Sequence, residues 1–271
     1  GVQTCALPIY CLLRRNELGK CFILTGGGSN GKSTLLDVLE TMLGADNLSS
    51  VSLDELSERF KTYQLEGKLA NIGDDISNQY IEDNSTFKKL VTGEKVNVER
   101  KGKDPFDMNN YSKLIFSAND LPRINDLSDG LKRRLMFIPF NAKFTKSDVD
   151  YDPWIKDKLC TNESLEYMLK IALEGLDRVL MNKEFTNCDL CADVWKEYEQ
   201  INNPVVAFLD EVEIDNKAVA DVYKQYQIWC IEGGLKSFSK NVFGREVKKH
   251  NYESIKGRID NKQSRIYHKV G

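Results

Sequence analysis

An α/β fold built on a mostly parallel, helix-covered sheet is what this 271-residue sequence predicts. Three observations carry that expectation. Short apolar runs of strand length alternate with amphipathic stretches of helical period, the pattern of βα units. A glycine-rich loop, Gly26-Gly-Gly-Ser-Asn-Gly-Lys-Ser-Thr34, stands between one such run and one such helix. Hydrophobic residues make up 41% of the chain, enough for a real core in one large or two modest domains.

Taken in order, Cys21-Phe-Ile-Leu24 reads as a buried strand, and Leu35, Val38, Leu39 and Met42 mark a helix that Gly44 can cap. Ser52-Leu-Asp-Glu55 has the form of a capping box and predicts a short helix ending near Phe60. Lys68 to Asp75 is a strand ending in paired acids, and Ser85 to Val91 is a helix stopped by Thr92-Gly93. Val96-Asn-Val98 alternates, and Gly102, Asp104 and Pro105 punctuate a turn, so residues 94–108 are expected to form a hairpin. Lys113 to Ser117 and Leu135 to Ile138 are further strands, and Asn162 to Leu180 is an amphipathic helix. Past residue 190 the pattern changes. Val205–Asp210, Ala218–Cys230 and a basic stretch from Asn241 to His250 read as helices, the last capped by Ser239. Tyr252–Arg258 and Ser264–Val270 read as strands joined by the turn 260–263. Three helices and a two-stranded ribbon make a winged helix-turn-helix.

The first residues have no charged n-region and are not a secretion signal; residues 1–19 read as a truncated or artefactual leader. No apolar run approaches the roughly 20 residues of a membrane span, so no membrane partner is expected. Seven cysteines, irregularly spaced, point to reduced thiols in an intracellular protein. Cys188 and Cys191 have metal-like spacing, but only two histidines exist and there is no second cysteine pair, so they read as ordinary cysteines. The net charge of −3 is segregated. Residues 236–271 hold ten Lys/Arg against three Asp/Glu, a local +7 that leaves −10 for the rest. A polyanion-binding face requires such segregation.

The glycine loop fits G-x-x-x-x-G-K-[ST] in its required context of strand, loop and helix. This is the P-loop NTPase pattern: backbone N–H groups around Gly26, Gly28, Asn30 and Gly31 cradle phosphates, Lys32 reaches the β/γ oxygens, and Ser33, beside Thr34, holds Mg²⁺. ATP and Mg²⁺ are therefore the expected ligands. Asp74 and Asp75, at a strand end behind this loop, are candidates to hold the metal (Asp74) and to orient or deprotonate the attacking water, with their individual roles left open. Asn119, at the end of another strand, can hydrogen-bond the γ-phosphate or that water. Arg133-Arg134 precedes a strand. A guanidinium reaching a γ-phosphate from a neighbouring subunit speeds phosphoryl transfer; Arg134 is favoured because it abuts the strand, with Arg133 as the alternative. Lys95, Lys101 and Lys103 lie in the expected hairpin, the last two near its tip, where they can follow a DNA backbone. Lys248, Lys249 and Arg258 in the basic helix and wing are further DNA-contact candidates.

The ordered set formed by the Lys32 loop, Leu69-Ala-Asn-Ile-Gly-Asp74-Asp75, Phe87 to Gly93 with Val96 to Lys103, Lys113 to Asn119 with Leu121-Pro122, and Leu131-Lys-Arg-Arg134 resembles the superfamily III helicases. The resemblance is to the phage/plasmid primase-helicase branch related to the poxvirus primase-helicase, and it spans about residues 10 to 271. It implies an AAA+-like ATPase domain at 20–185 followed by a winged-helix domain at 186–271. It makes Lys32, Ser33 and Thr34 the Walker A segment, Asp74 and Asp75 Walker B, Asn119 the sensor and Arg134 the arginine finger. It further implies a ring hexamer, assembled where the family's N-terminal collar is present, that moves on single-stranded or forked DNA in the cytoplasm of a host cell or viral factory. An ATP-switched replication initiator or loader without unwinding activity, or another P-loop motor, remains the alternative.

Overall fold

The computed structural model describes residues 2–73, 76, 85–119, 129–149, 151–186, 188–259 and 262–270. The chain divides into two units, Gly1–Trp195 and Lys196–Gly271.

In the first unit α1 (Val2–Cys11) precedes β1 (Cys21–Thr25), all five residues of which are buried. The glycine loop then leads into α2 (Lys32–Leu43). A two-residue strand, β2 (Leu48–Ser49), and β3 (Ala70–Gly73) follow, then α3 (Ser85–Thr92) and the antiparallel pair β4 (Lys95–Val98) and β5 (Phe106–Asn109). The unit continues with β6 (Lys113–Ala118), α4 (Asp129–Lys132), β7 (Leu135–Pro139), α5 (Ile155–Leu159) and α6 (Asn162–Asn182). The division between the units falls within α7 (Asp189–Asn202).

Five strands form one parallel sheet in the order β2-β3-β6-β1-β7. The three inner strands are buried at every residue, as a parallel sheet covered on both faces demands. Alternation along β1 sends Phe22 and Leu24 into a core shared with α1, α2 and α6, where Leu7, Tyr10, Leu36, Leu39, Ala172 and Leu176 meet them. Tyr10, Phe22 and Phe185 pack edge to face there, with ring centroids 5.1–6.2 Å apart.

The stretch read from the sequence as a leader is therefore part of this core. Ala6, Leu7, Tyr10 and Cys11 are at most 2% exposed, and α1 crosses α6 so closely that a Cβ on Gly175 would meet the Ala6 backbone at 3.0 Å. Each such buried large side chain stabilises the unit by roughly 1.5–3 kcal/mol. No local signal in Val2–Cys11 foretells this, because Pro8 interrupts the helical pattern and the partner helix lies more than 150 residues away.

The helix expected after Ser52 is absent. Two 3₁₀ turns, Glu55–Ser57 and Thr62–Leu65, stand in its place. Glu55 does reach back to accept from the Ser52 N–H at 3.4 Å, as in a capping box, but it also pairs with Lys61. Phe60 between the turns has φ 67°, a left-handed conformation that no α-helix can pass through.

The second unit holds α8 (Pro204–Glu211), α9 (Val219–Glu232), α10 (Lys240–Lys249) and the antiparallel ribbon β8 (Tyr252–Ile259) and β9 (Lys262–Lys269). Val205, Phe208, Val222, Tyr226, Phe243, Val247, Tyr252 and Tyr267 form its core. Asn203 caps α8 by accepting from the Val205 N–H at 3.1 Å, and its amide donates to the buried Glu246 of α10 at 3.1 Å. That bond ties the first helix of the unit to the third.

Candidate functional site

The glycine loop runs from the end of β1 into α2, and its conformation depends on glycine at two positions. Gly26 has φ 141°, and a Cβ there would collide with the Phe140 carbonyl oxygen at 2.4 Å. Gly31 has φ 90° and caps α2. By contrast, a Cβ on Gly27 or Gly28 would meet nothing within 4 Å, and Gly27, Gly28 and Ser29 are exposed. The loop thus presents bare backbone at the positive end of a twelve-residue helix, an arrangement that accepts an anion.

Lys32 is only 5% exposed, although it opens a helix. Its ammonium donates to the Gly26 carbonyl and contacts Asn30 Oδ1 at 3.5 Å and Asn119 Oδ1 at 3.3 Å. A lysine folded back on the loop that carries it has a charge to deliver to whatever the loop binds. The Asn30 side chain faces inward: Nδ2 donates to the Phe140 carbonyl at 3.1 Å and Oδ1 accepts from the Lys32 N–H at 3.4 Å. Asn30 shapes the loop rather than offering its amide to a ligand. Ser33 is exposed and Thr34 half-buried at the start of α2. The fit to a magnesium-bound triphosphate rests on this set: open N–H groups, an inward lysine and a free-standing hydroxyl.

Asn119 follows β6, whose last residue, Ala118, accepts from the Gly26 N–H at 3.3 Å. The parallel register brings Asn119 beside Lys32 across 87 residues of sequence. Asp74 and Asp75 lie outside the described residues; Gly73 before them pairs with Phe116, and Ile76 after them donates to the Ser117 carbonyl at 2.9 Å.

The two arginines before β7 differ. Arg134 is half-buried, and its Nη1 donates to the Gly130 carbonyl at 2.6 Å. Arg133 is exposed, and its backbone carbonyl is held by Lys20 Nζ at 2.6 Å. Burial lowers the pKa of Lys20. The sequence favoured Arg134 for its place against the strand; in the fold its guanidinium is engaged by the Gly130 carbonyl of the same chain.

The hairpin of β4 and β5 carries the other basic cluster of this unit. The start of its connecting loop is anchored: Arg100 pairs with Glu66 and lies over the Tyr63 and Phe106 rings, and Arg59 pairs with Glu99 at 2.7 Å. Lys95 faces Asp107 at 3.7 Å. Lys101 and Lys103 flank Gly102 (φ 74°) at the tip and are exposed. In the second unit α10 buries Phe243, Glu246 and Val247, which leaves Lys248 on its open face. Lys249 is exposed but pairs with Glu246 at 2.9 Å, and Arg258 is exposed on β8.

Two residues that the sequence reading passed over, and one pair that it read as ordinary cysteines, take up defined places. Phe144, beyond β7, donates its N–H to the Ser29 carbonyl at 2.7 Å, and the residue stays 48% exposed beside the loop. Lys113 is 1% exposed and donates to the carbonyls of Leu13, Arg15 and Tyr111 at 2.7–3.0 Å; burial brings its pKa down to about 8. Cys188 and Cys191 approach to 3.3 Å between sulfurs at the start of α7, and the hydrogen bond from Cys191 lowers the Cys188 pKa. Only Phe144 touches the glycine loop, and a lone Phe in a polar segment carries no sequence signal. Among the described residues no group of three or more His, Cys, Asp or Glu side chains is placed to hold a metal, and no helix is long and apolar enough to cross a membrane.

Comparison with known proteins finds two family models along the chain. Residues 24–134 match a family of unknown function (DUF5906), and residues 200–269 match the family described as poxvirus D5 protein-like. The Acanthamoeba polyphaga mimivirus protein named "Putative helicase L207/L206" is 32% identical over 144 residues, which is 50% of this chain and 15% of that protein. The Invertebrate iridescent virus 3 protein named "Putative helicase 121R" is 29% identical over 132 residues, 44% of this chain and 14% of that one. This chain thus spans only about 15% of the length of the viral relatives it matches. Among solved structures, the apo A form of the NrS-1 C-terminal region superposes with a TM-score of 0.60 at 17% identity, covering 100% of this chain and 71% of that one. At that identity the likeness is one of fold. Taken together, these matches agree with the resemblance read from the sequence: the chain is similar to a primase-helicase-like C-terminal region.

Proposed function

We propose that this chain is the ATP-hydrolysing, DNA-translocating part of a replication helicase, with a P-loop core followed by a winged-helix domain. The observation that carries the reading is the meeting of Lys32 and Asn119 at 3.3 Å over an open glycine loop. A lysine on a phosphate-binding loop and a strand-end amide that meet at one point are placed to hold and to sense a γ-phosphate.

In this mechanism the loop N–H groups hold the α/β-phosphates, and the Lys32 ammonium exchanges the Gly26 carbonyl for β/γ oxygens. Ser33 and Asp74 would hold Mg²⁺, which neutralises charge developing on the phosphates. Asp75 would take the proton of the attacking water, and Asn119 would orient it. The trans-acting guanidinium comes from Arg133 of a neighbouring copy, because Arg133 is exposed and Arg134 is bonded to Gly130. Lys101 and Lys103, at the tip of an anchored hairpin, grip the phosphates of single-stranded DNA, so that a shift between subunits moves the strand. The viral relatives named as helicases support the reading.

The test is ATP hydrolysis with and without single-stranded DNA, and unwinding of forked DNA by an assembled preparation. Wild-type turnover should rise with DNA, and Lys32→Ala should abolish nucleotide binding. Turnover indifferent to DNA would remove the helicase reading. The exposed Lys248 and Arg258 of the second unit favour one other reading, an ATP-switched initiator or loader. It predicts specific duplex binding without strand displacement.

A further inference from the structure

We propose that Phe144 is the platform on which the base of the bound nucleoside triphosphate stacks; the inference rests on the phosphate-loop reading above. Sheet order sets the direction of the ligand. On one side of β1 lies β6, with Asn119 touching Lys32, so the γ end of a triphosphate belongs there. On the other side lies β7, and the chain leaving it returns to the loop. Phe140 donates to the Thr25 carbonyl at 2.7 Å and Phe144 to the Ser29 carbonyl at 2.7 Å. The nucleoside end of the ligand therefore emerges on the side where Phe144 stands.

A single exposed apolar side chain is ordinary on a protein surface. This one is fixed by its backbone to the glycine loop, and its ring lies 3.7 Å from the point where a Cβ on Gly31 would be. The residue is 48% exposed. An aromatic face so held loses little freedom when a base covers it, and every base has a π-face to offer. Binding should tolerate different bases, with purines ahead of pyrimidines by stacking area.

Calorimetric titration of the full chain with ATP and with inorganic tripolyphosphate separates this inference from the reading beneath it. Phe144→Ala should bind ATP roughly tenfold more weakly, the fold-change of one lost base–aromatic stack, and bind tripolyphosphate as wild type does. Phe144→Trp should restore ATP affinity, and its indole emission should be quenched by ATP and not by tripolyphosphate. If wild type binds both ligands and Phe144→Ala still binds ATP equally well, the platform is overturned and the phosphate loop stands. An equal loss of both ligands in Phe144→Ala also overturns it, because Phe144 then only shapes the loop. If wild type binds neither, the phosphate-loop reading fails and the platform with it.

Discussion

Replacing Arg133 and Arg134 singly by alanine should separate a functional arginine from a structural one. Arg134 donates to the Gly130 carbonyl at 2.6 Å from a half-buried position. Losing a hydrogen bond from a charged group costs about 1.5–3 kcal/mol. For a unit of this size each kcal/mol lowers Tm by about 2–4 °C, so Arg134→Ala should melt roughly 3–12 °C early. Arg133 is exposed, and a surface truncation of this kind changes stability by about 0.5 kcal/mol or less. Its removal should nevertheless cut DNA-stimulated ATP turnover about 10³-fold, the low end of what a trans-acting arginine contributes. The assay pairs thermal melting with steady-state ATPase, and adds a mixing experiment. Arg133→Ala has an intact glycine loop and Lys32→Ala an intact Arg133, so mixed assemblies should regain activity that neither has alone. If Arg133→Ala turns over normally while Arg134→Ala is inactive at an unchanged Tm, the reasoning from burial is wrong and the arginine beside the strand is the one that acts.

Three further outcomes follow from the same geometry. Lys101→Ala with Lys103→Ala should weaken single-strand DNA binding and flatten its salt dependence while sparing DNA-independent ATPase, read by fluorescence anisotropy at two ionic strengths. Lys113 has a folded pKa of about 8, below its unfolded value near 10.5, so the unfolded chain binds the extra proton between those limits and stability must rise with pH across them. Urea unfolding at pH 8 and pH 9.5 should therefore move wild type ahead of Lys113→Met by about 1.5 kcal/mol; movement the other way would contradict the buried ammonium. Iodoacetamide at neutral pH, followed by mass spectrometry, should modify Cys188 before Cys11 and Cys21. The Cys191 hydrogen bond lowers the first thiol, while burial pushes Cys11 up to about 12 and Cys21 higher still.

Much of the fold was legible where the causes are local. Cys21–Thr25, Lys113–Ala118 and Leu135–Pro139 are apolar runs that a buried parallel strand requires, and they form such strands. The hairpin at 95–109 and the three helices with their ribbon follow from alternation, helical period and turn residues. The segment after Ser52 misled because a capping box specifies only a beginning; Glu55 also pairs with Lys61, and the chain makes two short 3₁₀ turns in place of the helix.

The conformation of the glycine loop was readable because the backbone needs of its nine consecutive residues are encoded in their own types. Gly26 and Gly31 stand where a Cβ would clash or strain, and Lys32 follows in register. What lies around that loop was decided elsewhere. Asn119 reaches Lys32 only because β6 pairs beside β1, and Phe144 reaches Ser29 only because the chain beyond β7 turns back. Arg133 and Arg134 are neighbours with the same side chain, and only packing distinguishes them, burying one against Gly130 and leaving the other in solvent. Sequence thus determines chemistry that one stretch of backbone can hold, while contacts between residues a hundred positions apart exist only once the sheet has assembled and the core has closed.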